Sequence, residues 1–451
     1  MSNTAPTLPE VYTIPIGEHF GCHSNDVHLA YAPLHAAYGL MNAAEARQLQ
    51  AALSNGGSTR EQEFLAAIQG LSPSALLPTP QTPDDIWELD LLLNNICNFH
   101  CSYCYSAAGR SNRRMPETAW HRAIDFVFAE KRKDKLPVRI HFSGGGEPLI
   151  SFSEIRKVVA YIEKKHARCG RRYSLGIVSN GSLLTDEIIT FIRDRKIDLV
   201  ISFEVLPELQ NRERGAYDKV KANLERLHEL KCPFGIRSPL TEDALPLLPV
   251  MLNTLKSEYP YITQLTVEPV HSPEWYGTPE KLQRYFDLFY ETYTQAYEQA
   301  EKLGISLGSN SFSLLKYRRK AKCMCKMVVT AEGTISYCAR VASSTEPLYN
   351  NFVYGSCNCP DSDTAVFDTA RFAEINRHNI MEQPACRHCY ARWNCGGDCS
   401  LFHQTYPEAC YEVSCDFTRR CLVWEMLRNI RRNFENEHPG QDFEQYVRDS
   451  V

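Results

Sequence analysis

No stretch of the 451-residue chain approaches the ~18 consecutive apolar residues needed to cross a bilayer. The opening segment, Met1 to Glu10, is polar and contains proline, with no apolar core of the kind that directs secretion. A cytoplasmic location without membrane attachment is the expectation. An excess of one charge is also missing, because 49 Lys and Arg stand against 54 Asp and Glu, a formal net charge of −5. That balance gives no general reason to expect nucleic acid or an anionic surface as a partner. The length calls for two or three domains with ample core. What the chain has in quantity is cysteine, 18 residues in all.

The cysteines are unevenly spread. Three fall between Cys97 and Cys104, and twelve between Cys323 and Cys421. A secreted disulfide scaffold would carry a secretion signal and distribute its cysteines more widely, so metal ligation fits better. Cys22, Cys169, Cys232 and Cys410 have no evident partner and read as small buried hydrophobes.

The apolar run Ile86 to Leu93 reads as the end of a buried strand. The loop after it is Cys97-Asn98-Phe99-His100-Cys101-Ser102-Tyr103-Cys104. Three thiolates from one short loop can hold three irons of a [4Fe-4S] cluster, leaving the fourth iron open. A zinc knuckle or three reduced core cysteines are the plainer readings of the same residues. The C-x3-C-x2-C spacing, with aromatic Tyr103 before the third cysteine, resembles the signature of radical S-adenosylmethionine (SAM) enzymes. That resemblance implies that the open iron chelates the amino and carboxylate groups of SAM.

Residues 1–85 read as a small separate α+β unit. Val11 to Ile16 and Asp26 to Tyr31 are strand candidates, Asn42 caps a helix over Ala43 to Leu53, and a second helix spans Thr59 to Leu71. Ser72 to Pro83 reads as a linker. The order of elements distantly resembles the winged-helix units that bind leader peptides; a structural cap on the next domain is the other reading.

From Trp87 to Ile305 short apolar runs alternate with amphipathic helices. Strands are expected at Trp87 to Leu93, Val138 to Phe142, Ser174 to Ser179, Leu199 to Val205, Gly235 to Leu240 and Gln264 to Val270. Helices are expected at Glu117 to Lys131, Ser153 to Ala167, Thr185 to Arg195, Tyr217 to Leu230, Ala244 to Glu258 and Pro279 to Leu303. Six such repeats imply parallel strands with crossover helices, an open (β/α)6 partial barrel over residues 86–310. Its functional loops lie at the carboxyl ends of the strands, and the cysteine loop is the first of them.

The second strand ends in Ser143-Gly144-Gly145-Gly146-Glu147-Pro148, where consecutive glycines let a ligand approach the backbone. The stretch resembles the GGEP motif that holds the amino group of SAM. Ser179-Asn180-Gly181 resembles the family's T-N-G step, and Ser202-Phe203-Glu204 its S-x-D step, with Glu in place of Asp. By that resemblance Tyr103, Gly144, Gly145, Gly146, Glu147, Asn180, Ser202 and Glu204 are cofactor-binding candidates. Arg237 joins them as a forked donor for the SAM carboxylate. Glu268 and His271 would face the same cavity.

After Tyr317 the chain changes character, and residues 311–451 read as a loop-rich, cysteine-rich domain. Cys323-x9-Gly333-x4-Cys338 spans a hairpin over Met327 to Arg340; Cys386-x2-Cys389-x5-Cys395-x3-Cys399 follows, then Cys415 opening a helix over Phe417 to Phe434. This order resembles the SPASM extension of radical SAM enzymes, which carries two auxiliary [4Fe-4S] clusters. The resemblance assigns Cys323, Cys338 and Cys399 to one cluster and Cys386, Cys389, Cys395 and Cys415 to the other. The fourth ligand of the first is Cys325, Cys357, Cys359 or an open site, and Cys421 competes with Cys415. A double zinc site is the plainer reading.

The resemblance implies three [4Fe-4S] clusters and SAM, a one-electron donor such as flavodoxin or ferredoxin, and a precursor peptide as substrate. The implied activity is that of a peptide maturase, in which a 5′-deoxyadenosyl radical abstracts hydrogen and a thioether, carbon–carbon or related crosslink forms. Epimerisation, small-molecule dehydrogenation and non-catalytic electron carriage are the other readings. The sulfatase-maturating branch is disfavoured, because Ala339 and Arg340 follow Cys338 where that branch has an acidic residue.

Overall fold

The computed structural model describes residues 10–55, 74–132, 135–323 and 326–450. The helix expected over Thr59 to Leu71 and the thiol of Cys325 lie outside the described residues. Three antiparallel strands, β1 (Tyr12–Pro15), β2 (Val27–Ala32) and β3 (Ala37–Asn42), precede a helix at Ala43–Asn55. The third strand is not among the strands expected from the sequence. Ala-Tyr-Gly-Leu-Met-Asn has no alternating pattern, and only its ladder with β2 makes it a strand. Asn42 does cap: its Oδ1 accepts from Ala44 N and Glu45 N, each at 3.0 Å, and its own N donates to Glu45 Oε2 at 3.0 Å. Such a reciprocal box stabilises a helix start by about 1 kcal/mol.

This small sheet rests on the cysteine-rich region rather than on the barrel alone. Tyr31 donates its hydroxyl to Asn394 Oδ1 at 2.6 Å, Arg318 Nε donates to Pro33 O at 2.8 Å, and Arg392 pairs with Glu10 at 2.7 Å. The expected linker is pinned in the same way, with Ser74 N on Leu34 O at 2.7 Å and Leu77 N on Arg318 O at 2.8 Å. These partners are distant in sequence, which is why the segment reads as free.

The second sheet builds the site. Its parallel strands are β4 (Glu88–Leu91), β5 (Val138–Phe142), β6 (Tyr173–Ser179), β7 (Asp198–Ser202), β8 (Gly235–Leu240), β9 (Gln264–Pro269) and β10 (Ser306–Gly308), each beside the next. On the other side of β4 lies β11 (Lys326–Val329), also parallel, followed by antiparallel β12 (Thr334–Ser336), β13 (Val353–Ser356) and β14 (Val366–Phe367). The sheet does not close on itself, so the architecture is a partial barrel with β10 as one edge.

Among the described residues the expected six parallel strands become eight. β10 is three residues long, too short to show a period, and β11 looks like a hairpin arm until its second edge pairs with β4. Helices cover the outer face. Thr185, for example, accepts from Ile188 N to start Asp186–Asp194, whose Ile188, Ile189 and Ile192 are buried. Among the helices not expected from the sequence is Pro207–Glu213, and the last long helix spans Tyr411–Glu437, so Cys415 lies within it rather than opening it. No helix among the described residues is long and apolar enough to cross a membrane.

Candidate active site

The loops after β4 and β5 are joined backbone to backbone. Gly146 N donates to Asn94 O at 2.9 Å, and Glu147 N to Ile96 O at 2.8 Å. Buried Asn94 secures the seam, donating through Nδ2 to Glu147 O (3.1 Å) and Ser151 Oγ (2.9 Å). A Cβ on Gly146 would lie 1.9 Å from Ile96 O, and one on Gly145 2.7 Å from Asn94 O. The glycines therefore serve the approach of two backbones. Gly146→Ala should destabilise the protein by about 3 kcal/mol, the upper range for overpacking, whereas Gly235→Ala, whose Cβ would meet nothing nearer than 3.9 Å, should change little. Denaturant midpoints of the two variants test this.

Glu147 and Asn180 tie a third loop, that after β6, to the first two. The buried Glu147 carboxylate accepts from Leu149 N at 3.1 Å, Ser179 Oγ at 2.8 Å and Asn180 N at 2.8 Å. Burial pushes its pKa up, and these donors act against that shift. Asn180 Nδ2 donates to Asn98 Oδ1 at 2.9 Å, and Asn98 Nδ2 to Ser182 Oγ at 2.8 Å, which fixes the middle of the cysteine loop.

A buried network holds the other end of that loop. Tyr103 and Ser238 both donate hydroxyls to Glu204, and Arg214 donates to the Tyr103 hydroxyl at 2.8 Å while standing 3.8 Å from the Glu204 carboxylate. Burial pushes Glu204 up, with Arg214 opposing it. Burial also works against the Arg214 charge, but Tyr103, Cys101 and Glu204 overcome it and raise its pKa. Ser102 donates to the Glu213 side chain, and Ser102 N to Glu213 O at 2.9 Å.

Backbone shape aims Glu204. Val205 has φ +65°, and Leu206 N bonds back to Glu204 O at 2.7 Å, a γ-turn made at a β-branched residue. Such strain persists only where the surroundings enforce it. Sequence reasoning misses Arg214, Asn98 and Asn94. Arg214 follows an unexpected helix, and the two asparagines look like ordinary loop residues.

These loops enclose a cavity of about 210 Å³ lined by Cys97, Cys101, Cys104, Gly144, Gly145, Gly146, Asn180, Ser202 and Arg237. Burial raises the pKa of Cys97 and Cys101. Arg110 donates through Nη2 to Cys104 Sγ at 3.2 Å and through its other nitrogen to Phe99 O. Arg237 Nε is buried without a hydrogen-bond partner. Among the described residues no three His, Cys, Asp or Glu close to metal-coordinating range; the thiols share one cavity wall. A guanidinium on one thiol, two further thiols and an unsatisfied cationic donor in the same lining fit an iron–sulfur cluster beside an anionic ligand.

The distant cysteines fall into two groups. Burial, then the Cys399 and Cys338 thiols, pushes Cys323 to about 12, and burial, then Cys399, pushes Cys338 to about 11. Cys386, Cys389, Cys395 and Cys415 line a second cavity of about 320 Å³, with Asp398, His378 and His403. There burial, then Cys395, pushes Cys415 to about 12, and Cys395 Sγ accepts from Asp398 N at 3.2 Å. Cys421 is fully buried outside that lining. Cys357 has Arg122 as its charged neighbour, and the carbonyls of Cys357 and Cys359 both accept from that guanidinium.

Residues 91–246 match the Radical SAM superfamily, so the chain carries a radical SAM domain. An uncharacterized protein of Methanocaldococcus jannaschii is 30% identical over 171 residues, which is 37% of this chain and 57% of that protein. The chain thus spans little more than half the length of that curated relative. The fold resembles that of anSMEcpe with bound AdoMet (TM-score 0.59, 14% identity, 77% of this chain and 99% of that one). It also resembles Streptococcus suis SuiB bound to precursor peptide SuiA (TM-score 0.50, 14% identity, 89% of this chain and 100% of that one).

Proposed function

We propose that this chain is a radical SAM peptide maturase that forms a crosslink in a ribosomally made precursor. One observation carries the reading. The cavity holding the thiol triplet and glycine loop adjoins a second, open cavity of about 600 Å³, and Tyr103, Cys104, Tyr105, His271 and Arg340 line both. The outer cavity is walled partly by the cysteine-rich region, through Val341, Leu401 and Thr405.

Cys97, Cys101 and Cys104 would hold the cluster that, when reduced, cleaves SAM to generate the hydrogen-abstracting radical. Arg237 would take the SAM carboxylate, and the Gly144–Gly146 carbonyls its amino group. Cys323, Cys338 and Cys399, and Cys386, Cys389, Cys395 and Cys415, would hold two auxiliary clusters. A flavodoxin or ferredoxin would supply the electron. The β1–β3 sheet, with two strand edges, suits recognition of an extended leader by strand addition.

The test is mass spectrometry of a precursor encoded by a short reading frame beside the gene, after anaerobic reaction. Loss of two hydrogens is expected; an unchanged mass in ordinary water would mean epimerisation, and an added methyl would overturn the reading. Removing the leader should weaken precursor binding more than tenfold, measured by anisotropy.

A further inference from the structure

The neck between the two cavities has more positive charge than it uses. Four arginines line the inner cavity: Arg110, Arg214, Arg237 and Arg340. Arg110 is held by Cys104 and the Phe99 carbonyl, and Arg214 by Tyr103 and Glu204. Arg237 has the Glu268 carboxylate as a neighbour in the same lining, while its Nε is buried without a hydrogen-bond partner. Arg340 lines both cavities, and its guanidinium lies over the Tyr105 ring, 5.3 Å from the centroid. It acts on Tyr105, His271, Cys338 and Tyr406, and it forms no salt bridge with a carboxylate among the described residues.

Among the described residues four carboxylates line the two cavities, and none pairs with Arg340. Glu147 is used by Leu149, Ser179 and Asn180; Glu268 accepts from Asn310 N at 2.9 Å and from Asn310 Nδ2 at 2.6 Å and has Arg237 as its cationic neighbour; Glu346 accepts through Oε2 from Ala342 N and Ser343 N, while its Oε1 is buried without a partner; Glu274 accepts from Ser272 Oγ at 2.9 Å. A guanidinium with no carboxylate partner, where Tyr105 and His271 also line both cavities, suits a forked anion entering with the substrate. His271 contributes no competing positive charge. Burial lowers its pKa to about 3, its Nε2 is buried without a partner, and its ring packs edge-on against Phe402 and Tyr406.

We propose that Arg340 is a substrate-specificity residue that binds a carboxylate of the peptide, an Asp or Glu side chain or a chain-terminal carboxylate, at the neck beside the inner cavity. Two arginines then serve two anions, Arg237 that of SAM and Arg340 that of the substrate. This deepens the reading of the chain as a peptide-modifying enzyme and rests on it.

The experiment uses anaerobically reconstituted full-length protein with SAM and fluorescein-labelled hexapeptides. The peptides form pairs that differ only as central Asp against Asn, central Glu against Gln, or terminal acid against amide, and anisotropy gives the dissociation constants. At least one acid should bind tenfold or more tighter than its amide partner. Arg340→Gln should abolish that preference without weakening the amide peptides, and Arg340→Lys should keep part of it. A structural role for Arg340 would instead weaken acid and amide alike. Equal binding of every acid and amide pair to the unaltered protein overturns the Arg340 assignment and leaves the peptide reading in place. Failure of all the hexapeptides and of the leader-bearing precursor to bind overturns both.

Discussion

Cys101→Ala is expected to reduce 5′-deoxyadenosine release from SAM by more than 10³-fold, a loss of about 4 kcal/mol of barrier lowering. The same variant should lose about four of about twelve irons per chain, one cluster of three. Cys101 shares one cavity wall with Cys97 and Cys104. It also stands in the field of Arg214, which holds Tyr103 on the same loop. Removing one thiolate of three leaves too few anchors for the cluster. The distant groups sharpen the comparison. Cys415→Ala, in the wall of the second thiol cavity, should also lose about four irons, while Cys421→Ala, buried outside that wall, should keep its full iron content. Iron analysis, zinc analysis and anaerobic chromatography of the reaction decide the matter together. Zinc in place of iron would overturn the whole assignment, and a total near four irons in the unaltered protein would remove the two distant clusters.

Much of this arrangement is legible in the sequence because it is carried by local pattern. The strands at Val138–Phe142 and Gly235–Leu240 coincide with apolar runs between turn signals, and the helix at Pro279–Leu303 begins at the first proline after Thr278. The thiol triplet is visible because its spacing is short and chemically specific. The rest depends on contacts that no local window contains. β11 finds β4 across more than two hundred residues, and β3 exists only because β2 offers it an edge. The glycine loop is visible as an exception in composition, yet half of its reason, the near contact with the Asn94–Ile96 backbone, lies in another loop. Glu204 draws notice as a departure from the family's aspartate, but its partner Arg214 does not. Nothing local in Arg212-Glu213-Arg214 sets one arginine apart from the other; only the fold turns one of those arginines inward.

Arg214→Met should therefore be among the most damaging single changes away from the thiols, lowering stability by about 3–5 kcal/mol, the cost of breaking a buried ion pair from one side. Set against a total of about 5–15 kcal/mol for a folded protein, this is a large fraction. The pair is well buried, with side-chain exposures of 9% for Arg214 and 1% for Glu204. Methionine keeps most of the volume and removes the charge, so the Glu204 carboxylate would retain Ser238 and Tyr103 as donors but lose its cation. Glu204→Gln should cost less, because the amide still accepts from both hydroxyls. The double variant separates electrostatics from packing. With both charges gone, neither is left uncompensated, and the combined cost should fall short of the sum of the singles by about 1–3 kcal/mol. Additive costs would show instead that Arg214 acts through its packing against Tyr103, whose ring its guanidinium faces at 5.7 Å. Denaturant midpoints of the four proteins give that coupling directly. Electron paramagnetic resonance of the reduced protein, with and without SAM, adds a second readout. If the network also orients the cysteine loop, the SAM-induced change in the spectrum should be lost in Arg214→Met and regained in the double variant only to the extent that Tyr103 returns to its place.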